Sequence, residues 1–112
     1  MGALEGQVLT YLWAADRPLT PREVLDGIDL DLAYTTVLTI LTRLWKKGLA
    51  DREQHGRVFA YRPKIAEADY VAGAMHRELD RARDQAAVLA SFVGKLPKKD
   101  IRLLRELLED GG

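Results

Sequence analysis

The apolar pattern of this chain changes its period at Gly48. On the N-terminal side the repeat is helical. At about 100° per residue, Val37, Leu41 and Leu44 share one face with Ile40 and Tyr34 flanking, and Thr35, Thr39, Thr42, Arg43 and Lys46 fall on the opposite face. This spacing predicts a helix over 34–47 that stops at Gly48, the residue type that most easily takes the left-handed conformation at a helix end. On the C-terminal side the period is two. Leu49, Asp51 and Glu53 alternate with Ala50 and Arg52, and Val58 and Ala60 alternate with Phe59 and Tyr61, which predicts a β-hairpin turning at Gln54-His55-Gly56 and closed by Pro63. Three threonines on the open face of the helix, where long charged side chains are usual, suggest that something approaches closely.

Two helices precede this switch. Leu4, Val8 and Leu12 recur every fourth position with Leu9 and Trp13 beside them, an amphipathic stripe over 4–15 that ends before Pro18. Thr20-Pro21-Arg22-Glu23 then supplies an N-cap threonine, a proline at the first helical position and a glutamate able to reach back to the cap nitrogen. The second helix starts at Pro21, turns Val24, Leu25 and Ile28 inward, and ends near Asp29 and Asp31.

After the hairpin, helical patterns cover 67–84, 85–96 and 98–110, with Pro97 between the last two. Their apolar positions include Tyr70, Val71, Leu79, Val88, Leu89, Phe92, Val93, Ile101, Leu104, Leu107 and Leu108, more apolar surface than fewer than fifty residues can bury alone. A second copy of the chain is the expected cover. Val71, Leu79, Phe92, Ile101, Leu104 and Leu108 are its expected contacts, with the last helix as the leading seam. The fold expected is mainly α with a small β-hairpin: a winged helix-turn-helix over 1–64, followed by a helical dimerisation region over 65–112.

Charge sorts along the chain in the same way. Seventeen basic residues balance seventeen acidic ones, which taken whole argues against a nucleic-acid partner. Residues 1–42 carry two basic and six acidic side chains, net −4, whereas 43–64 carry seven basic and two acidic, net +5, and 65–112 are net −1. The basic block covers the last turns of the third helix and the hairpin, the two elements of a winged helix that touch DNA.

The order and spacing of several segments resemble the penicillinase-repressor family of bacterial repressors, the BlaI and MecI type. They are Leu4-Glu5 with Leu12-Trp13, Leu19-Thr20-Pro21-Arg22-Glu23-Val24, Ala33-Tyr34-Thr35-Thr36-Val37 with Thr39, Arg43-Leu44, Lys47-Gly48, Arg52-Glu53, Gly56-Arg57 and Tyr61-Arg62-Pro63. The resemblance covers nearly the whole chain. It implies a homodimeric repressor of β-lactam-resistance or related genes, bound to a palindromic double-stranded operator and inactivated by cleavage when a membrane sensor-protease system responds. The implied DNA-binding residues are Thr35, Thr36, Thr39, Thr42, Arg43 and Lys46 on the helix and Arg52 and Arg57 on the wing. Threonine hydroxyls can bond phosphates and their methyls can meet thymine, and arginine can address guanine or a phosphate. Leu38 stands where relatives carry arginine. The implied scissile bond is Ser91-Phe92, although a phenylalanine at helical spacing from Val88 and Leu89 also reads as packing.

Other functions find little support. There are no cysteines, so disulfides, thiolate metal sites, cysteine catalysis and the copper-responsive branch of the family are excluded. Asp29 and Asp31 lack a third ligand, His55 and His76 read as surface residues, Ser91 has no histidine or acid at a catalytic spacing, and no glycine-rich phosphate loop is present. Neither an enzyme nor a cofactor or metal site is expected. The longest uncharged run, 32–42, falls short of the roughly 20 residues that cross a bilayer, and with no secretory signal visible the expected location is the cytoplasm. The competing expectation is a winged-helix module whose threonine face meets another protein.

Overall fold

The computed structural model describes residues 2–111. Its elements are α1 (Gly2–Ala14), α2 (Pro21–Gly27), α3 (Tyr34–Lys46), β1 (Ala50–His55), β2 (Val58–Pro63), α4 (Glu67–Arg81), α5 (Gln85–Lys95) and α6 (Lys98–Asp110). This is a winged helix-turn-helix followed by three helices. The packing groups the chain through Val71 into one unit and the residues from Ala72 onward into a second.

Local chemistry sets the element ends of the first unit. Thr20 Oγ1 accepts from the Glu23 backbone N–H at 3.2 Å while the Thr20 N–H donates to Glu23 Oε1 at 2.9 Å, a complete capping box with Pro21 at the first turn. At the other end of the motif, Gly48 takes φ +78°, its N–H donates to the Trp45 carbonyl and the Leu49 N–H donates to the Leu44 carbonyl. This double return is a Schellman cap, and it turns the chain directly from α3 into β1.

The core forms where the helical stripes converge. Val8, Leu9 and Leu12 of α1, Val24 of α2, and Val37, Ile40, Leu41 and Leu44 of α3 are buried together with Leu19, Ala50 and Tyr61. The outer end of the α1 stripe departs from the sequence reading: Leu4 is 38% exposed, beside α3 rather than under it.

β1 and β2 pair antiparallel, with Arg52 opposite Tyr61 and His55 opposite Val58. The turn is therefore Gly56-Arg57, one residue beyond the expected Gln54-His55-Gly56. Gly56 has φ +64° and Arg57 does not have a positive φ, the pattern of a two-residue type II′ turn with glycine first. Leu19 adds an isolated bridge to Tyr61, with reciprocal bonds of 2.9 and 2.7 Å. That bridge ties the base of the wing to the segment between α1 and α2.

The first unit extends past 64, the boundary drawn from the sequence. Trp13 Nε1 donates to the Ile65 carbonyl at 3.0 Å, and the Trp13 and Tyr70 rings meet edge to face at 5.7 Å, so the first turn of α4 packs with the winged helix. In the second unit neither α5 nor α6 has a buried residue, and α4 has none along its length. No helix among the described residues is long and apolar enough to cross a membrane.

Candidate nucleic-acid interface

The helical period that buries Val37, Leu41 and Leu44 dictates what α3 shows to the outside. Thr35, Thr39, Arg43 and Lys46 are exposed in one row, and Thr36 and Thr42 are half-buried along its edges. Leu38 is exposed beside them. Between this row and the first turn of α1 runs a groove of about 390 Å³, whose walls include Leu4, Glu5, Thr36 and Thr39. The helix thus presents hydroxyls and methyls along most of its length and cations at its C-terminal end.

The seven cations of 43–64 are not equivalent. Lys47 Nζ donates to both carboxylate oxygens of Glu5, at 3.0 and 2.9 Å. On the wing, Arg62 lies 3.7 Å from Glu53 and Lys64 lies 3.9 Å from Asp51, both exposed pairs of the kind that contribute little to stability. Arg52 sits with its guanidinium 3.5 Å from the centroid of the Trp45 ring and 3.9 Å from that of Phe59. Among the described residues, Arg43, Lys46 and Arg57 have no acidic partner within 4.0 Å. The structure therefore concentrates uncommitted positive charge at the end of α3 and at the tip of the wing.

Two features here escape the sequence pattern. Arg22, counted within the acidic N-terminal stretch, stands 5.4 Å from the centroid of Tyr34 and so lies beside the first turn of α3. The Trp45–Arg52–Phe59 stack depends on the hairpin register and on the turn at Gly48, neither of which a list of residues contains. Glu23, half of the capping box of α2, is stabilised in its charged form. Its carboxyl is held below its ordinary value of 4.5, chiefly by the hydrogen bond from the Thr20 backbone N–H and next by Arg17, whose guanidinium lies 2.8 Å away.

In the second unit, Leu79, Ile101 and Leu104 are half-buried, while Phe92 and Leu108 are exposed. Val71 is exposed at the end of the first unit. Met75, Val88, Leu89, Val93, Leu103 and Leu107 are also open, and of these Met75 and Leu103 lie outside the apolar positions that the sequence pattern picks out. Met75, Leu79, Val88, Leu89 and Phe92 line a groove of about 680 Å³ between α4 and α5. Ser91 and Phe92 are both exposed on α5. No cluster of three metal-ligating side chains occurs among the described residues.

A family profile described as "Penicillinase repressor" matches residues 1–110. The transcriptional regulator BlaI of Mycobacterium tuberculosis is 36% identical over 98% of this chain and 83% of its own length. The penicillinase repressor of Bacillus licheniformis is 34% identical over 95% of this chain and 87% of its own. Among solved structures, the monomeric form of Bacillus licheniformis BlaI in complex with the blaP half-operator aligns with a TM-score of 0.52 and 32% identity, covering 62% of this chain and 87% of that one.

Proposed function

The chain belongs to the penicillinase-repressor family and is a BlaI-like transcriptional repressor, and from that premise we propose that it acts as a homodimer on a palindromic operator in double-stranded DNA. The observation that carries this reading is the coincidence of the exposed Thr35–Thr39–Arg43 row with the exposed cations Arg43, Lys46 and Arg57, which have no acidic partner among the described residues. The α3 row enters the major groove. Thr35, Thr36, Thr39 and Thr42 meet phosphates and thymine methyls, and Arg43 and Lys46 meet base edges or backbone. Arg57, at the tip of the wing, holds a phosphate.

The helices after the wing supply the dimer. Their uncovered apolar side chains would be solvent-exposed in a monomer, and a second copy is the cover that also places two α3 rows on one duplex. The regulated genes are those of β-lactam resistance or a related response. Relief of repression is by cleavage at Ser91-Phe92, triggered indirectly by a membrane sensor-protease system. Exposure of both residues supports access, and their position inside α5 means that the helix opens locally before the bond is cut.

Binding of the purified chain to the DNA upstream of its own gene tests this reading. Affinity falls steeply with added salt and drops on Arg43→Ala or Arg57→Ala. Binding indifferent to salt and to both substitutions overturns it and favours the second reading, a protein-docking winged helix, for which the balanced charge of seventeen against seventeen speaks.

A further inference from the structure

We propose that Arg52 is a positioning residue, a planar cation clamped between Trp45 of α3 and Phe59 of β2 that fixes the wing to the end of the DNA-reading helix and so sets where Arg57 falls on the backbone. The inference rests on the DNA-binding reading above and departs on one point from what the family resemblance implies: Arg52 works through the wing rather than as a direct DNA contact.

Three observations place it there. Arg52 lies opposite Tyr61 in the hairpin, so Phe59 is its diagonal neighbour on the same face of the sheet, and the guanidinium 3.9 Å from that ring's centroid spans the two strands. The same guanidinium carbon lies 3.5 Å from the centroid of the Trp45 ring, on the last full turn of α3. The guanidinium is thus held against aromatic rings from two different elements. A guanidinium stacks in this way because it is planar and weakly hydrated, whereas an ammonium does not.

The second observation is what else joins the wing to α3. The Schellman turn at Gly48 and the Leu19–Tyr61 bridge hold the base of the hairpin, and Tyr61 is buried there. Beyond Tyr61 the strands run outward with Gln54, His55 and Val58 exposed, to a two-residue turn. The stack sits between the anchored base and the free tip, where a cross-strut controls the tip's angle.

The third observation is the charge inventory. Among the described residues Arg52 has no acidic partner, and it is half-buried where Arg43, Lys46 and Arg57 are exposed. Its positive charge is spent on the two rings, and its reach toward a phosphate is limited by the same contacts.

The test measures the intact protein against a random-sequence duplex and against the duplex upstream of its own gene, across a salt series. Arg52→Leu lowers affinity about fivefold, the scale of losing exposed cation–π contacts, while leaving the slope of log affinity on log salt unchanged. Trp45→Leu, which removes no charge, lowers affinity by a similar factor, and the two changes together cost no more than either alone. Arg52→Lys keeps the charge and does not restore affinity. A slope reduced by about 0.9 in Arg52→Leu, restored by lysine, with Trp45→Leu harmless, makes Arg52 a direct phosphate ligand and overturns the proposal. Unchanged affinity in Arg52→Leu overturns it as well.

Amide hydrogen exchange without DNA separates this inference from the DNA-binding reading. Exchange at the outer hairpin amides of 53–59 rises in Arg52→Lys while α1–α3 remain protected. Unaltered hairpin exchange overturns the clamp even if the protein binds DNA. Failure of the wild-type chain to bind either duplex, with hairpin exchange raised in the variant, removes the DNA-binding reading and leaves the clamp in place. Arg52→Lys serves where Arg52→Leu fails to fold.

Discussion

The carboxylate of Glu5, 6% exposed in the first turns of α1, accepts two hydrogen bonds from one ammonium, that of Lys47 at the end of α3. The pair joins residues 42 positions apart in the chain, at the edge of the groove between α1 and α3. Its two members are unequal, since the Lys47 side chain is 50% exposed and that of Glu5 is 8% exposed. Removing the lysine strands a buried carboxylate, whereas removing the glutamate frees a cation that water can still solvate. Lys47→Met is therefore expected to destabilise the fold by about 1–3 kcal/mol, and Glu5→Met by less. Urea denaturation of the two variants and of the double substitution checks this. The double variant recovers part of the loss, because no charge is left buried without a partner.

The same pairing separates two adjacent lysines at the surface proposed to meet DNA. Lys46 has no acidic partner among the described residues, and Lys47 is neutralised by Glu5. Lys46→Met is expected to lower the salt slope of DNA binding by about 0.9, and Lys47→Met to leave it nearly unchanged. Fluorescence anisotropy over a salt series distinguishes them. Equal slopes would mean that the Glu5 pair opens when DNA binds.

Acid should weaken the helix-turn-helix through Glu23. Its folded-state pKa lies below the ordinary 4.5, because the Thr20 backbone N–H and then Arg17 stabilise the charged form. A carboxyl lowered on folding contributes stability that is fully present above its unfolded-state value and is lost as pH falls through the folded-state value. Thermal melts of the wild type and Glu23→Ala are therefore expected to differ at neutral pH and to converge as pH drops below 4.5. A gap that persists unchanged in acid would show that the charge contributes nothing to the cap.

How much of this was legible in the sequence depended on the range of the interaction. The capping box, the Schellman end at Gly48 and the buried face of α3 rest on residues within one or two turns of each other, and periodicity exposes them. The Glu5–Lys47 pair, the Leu19–Tyr61 bridge and the Trp45–Arg52–Phe59 stack join residues whose proximity exists only once the elements have packed. Composition misled in a related way. A block of net +5 shows where charge accumulates along the chain, but only geometry shows that Lys47 is bound by a distant glutamate and Arg52 by two rings, leaving Arg43, Lys46 and Arg57 available. The turn of the wing moved by one residue because register, set by pairing of His55 with Val58, outranks the local preference of Gln54-His55-Gly56.

The row on α6 that remains open is the sharpest test of the dimer. Ile101 and Leu104 are half-buried, while Leu103, Leu107 and Leu108 are 53%, 61% and 70% exposed. A side chain of this size left in water forgoes about 1.5–3 kcal/mol relative to burial, so these three are the residues with most to gain from a second copy. Deletion of 98–112 is expected to give monomers by light scattering, and Leu103→Glu with Leu107→Glu is expected to do the same while keeping α6 intact. Each variant should bind a half-site duplex as the wild type does, yet lose about 10²–10⁴ in affinity for a full palindrome, since the second binding event no longer occurs at high effective concentration. A deleted chain that stays dimeric would move the seam to the α4–α5 groove, where Phe92 and Val88 are the next apolar side chains awaiting cover.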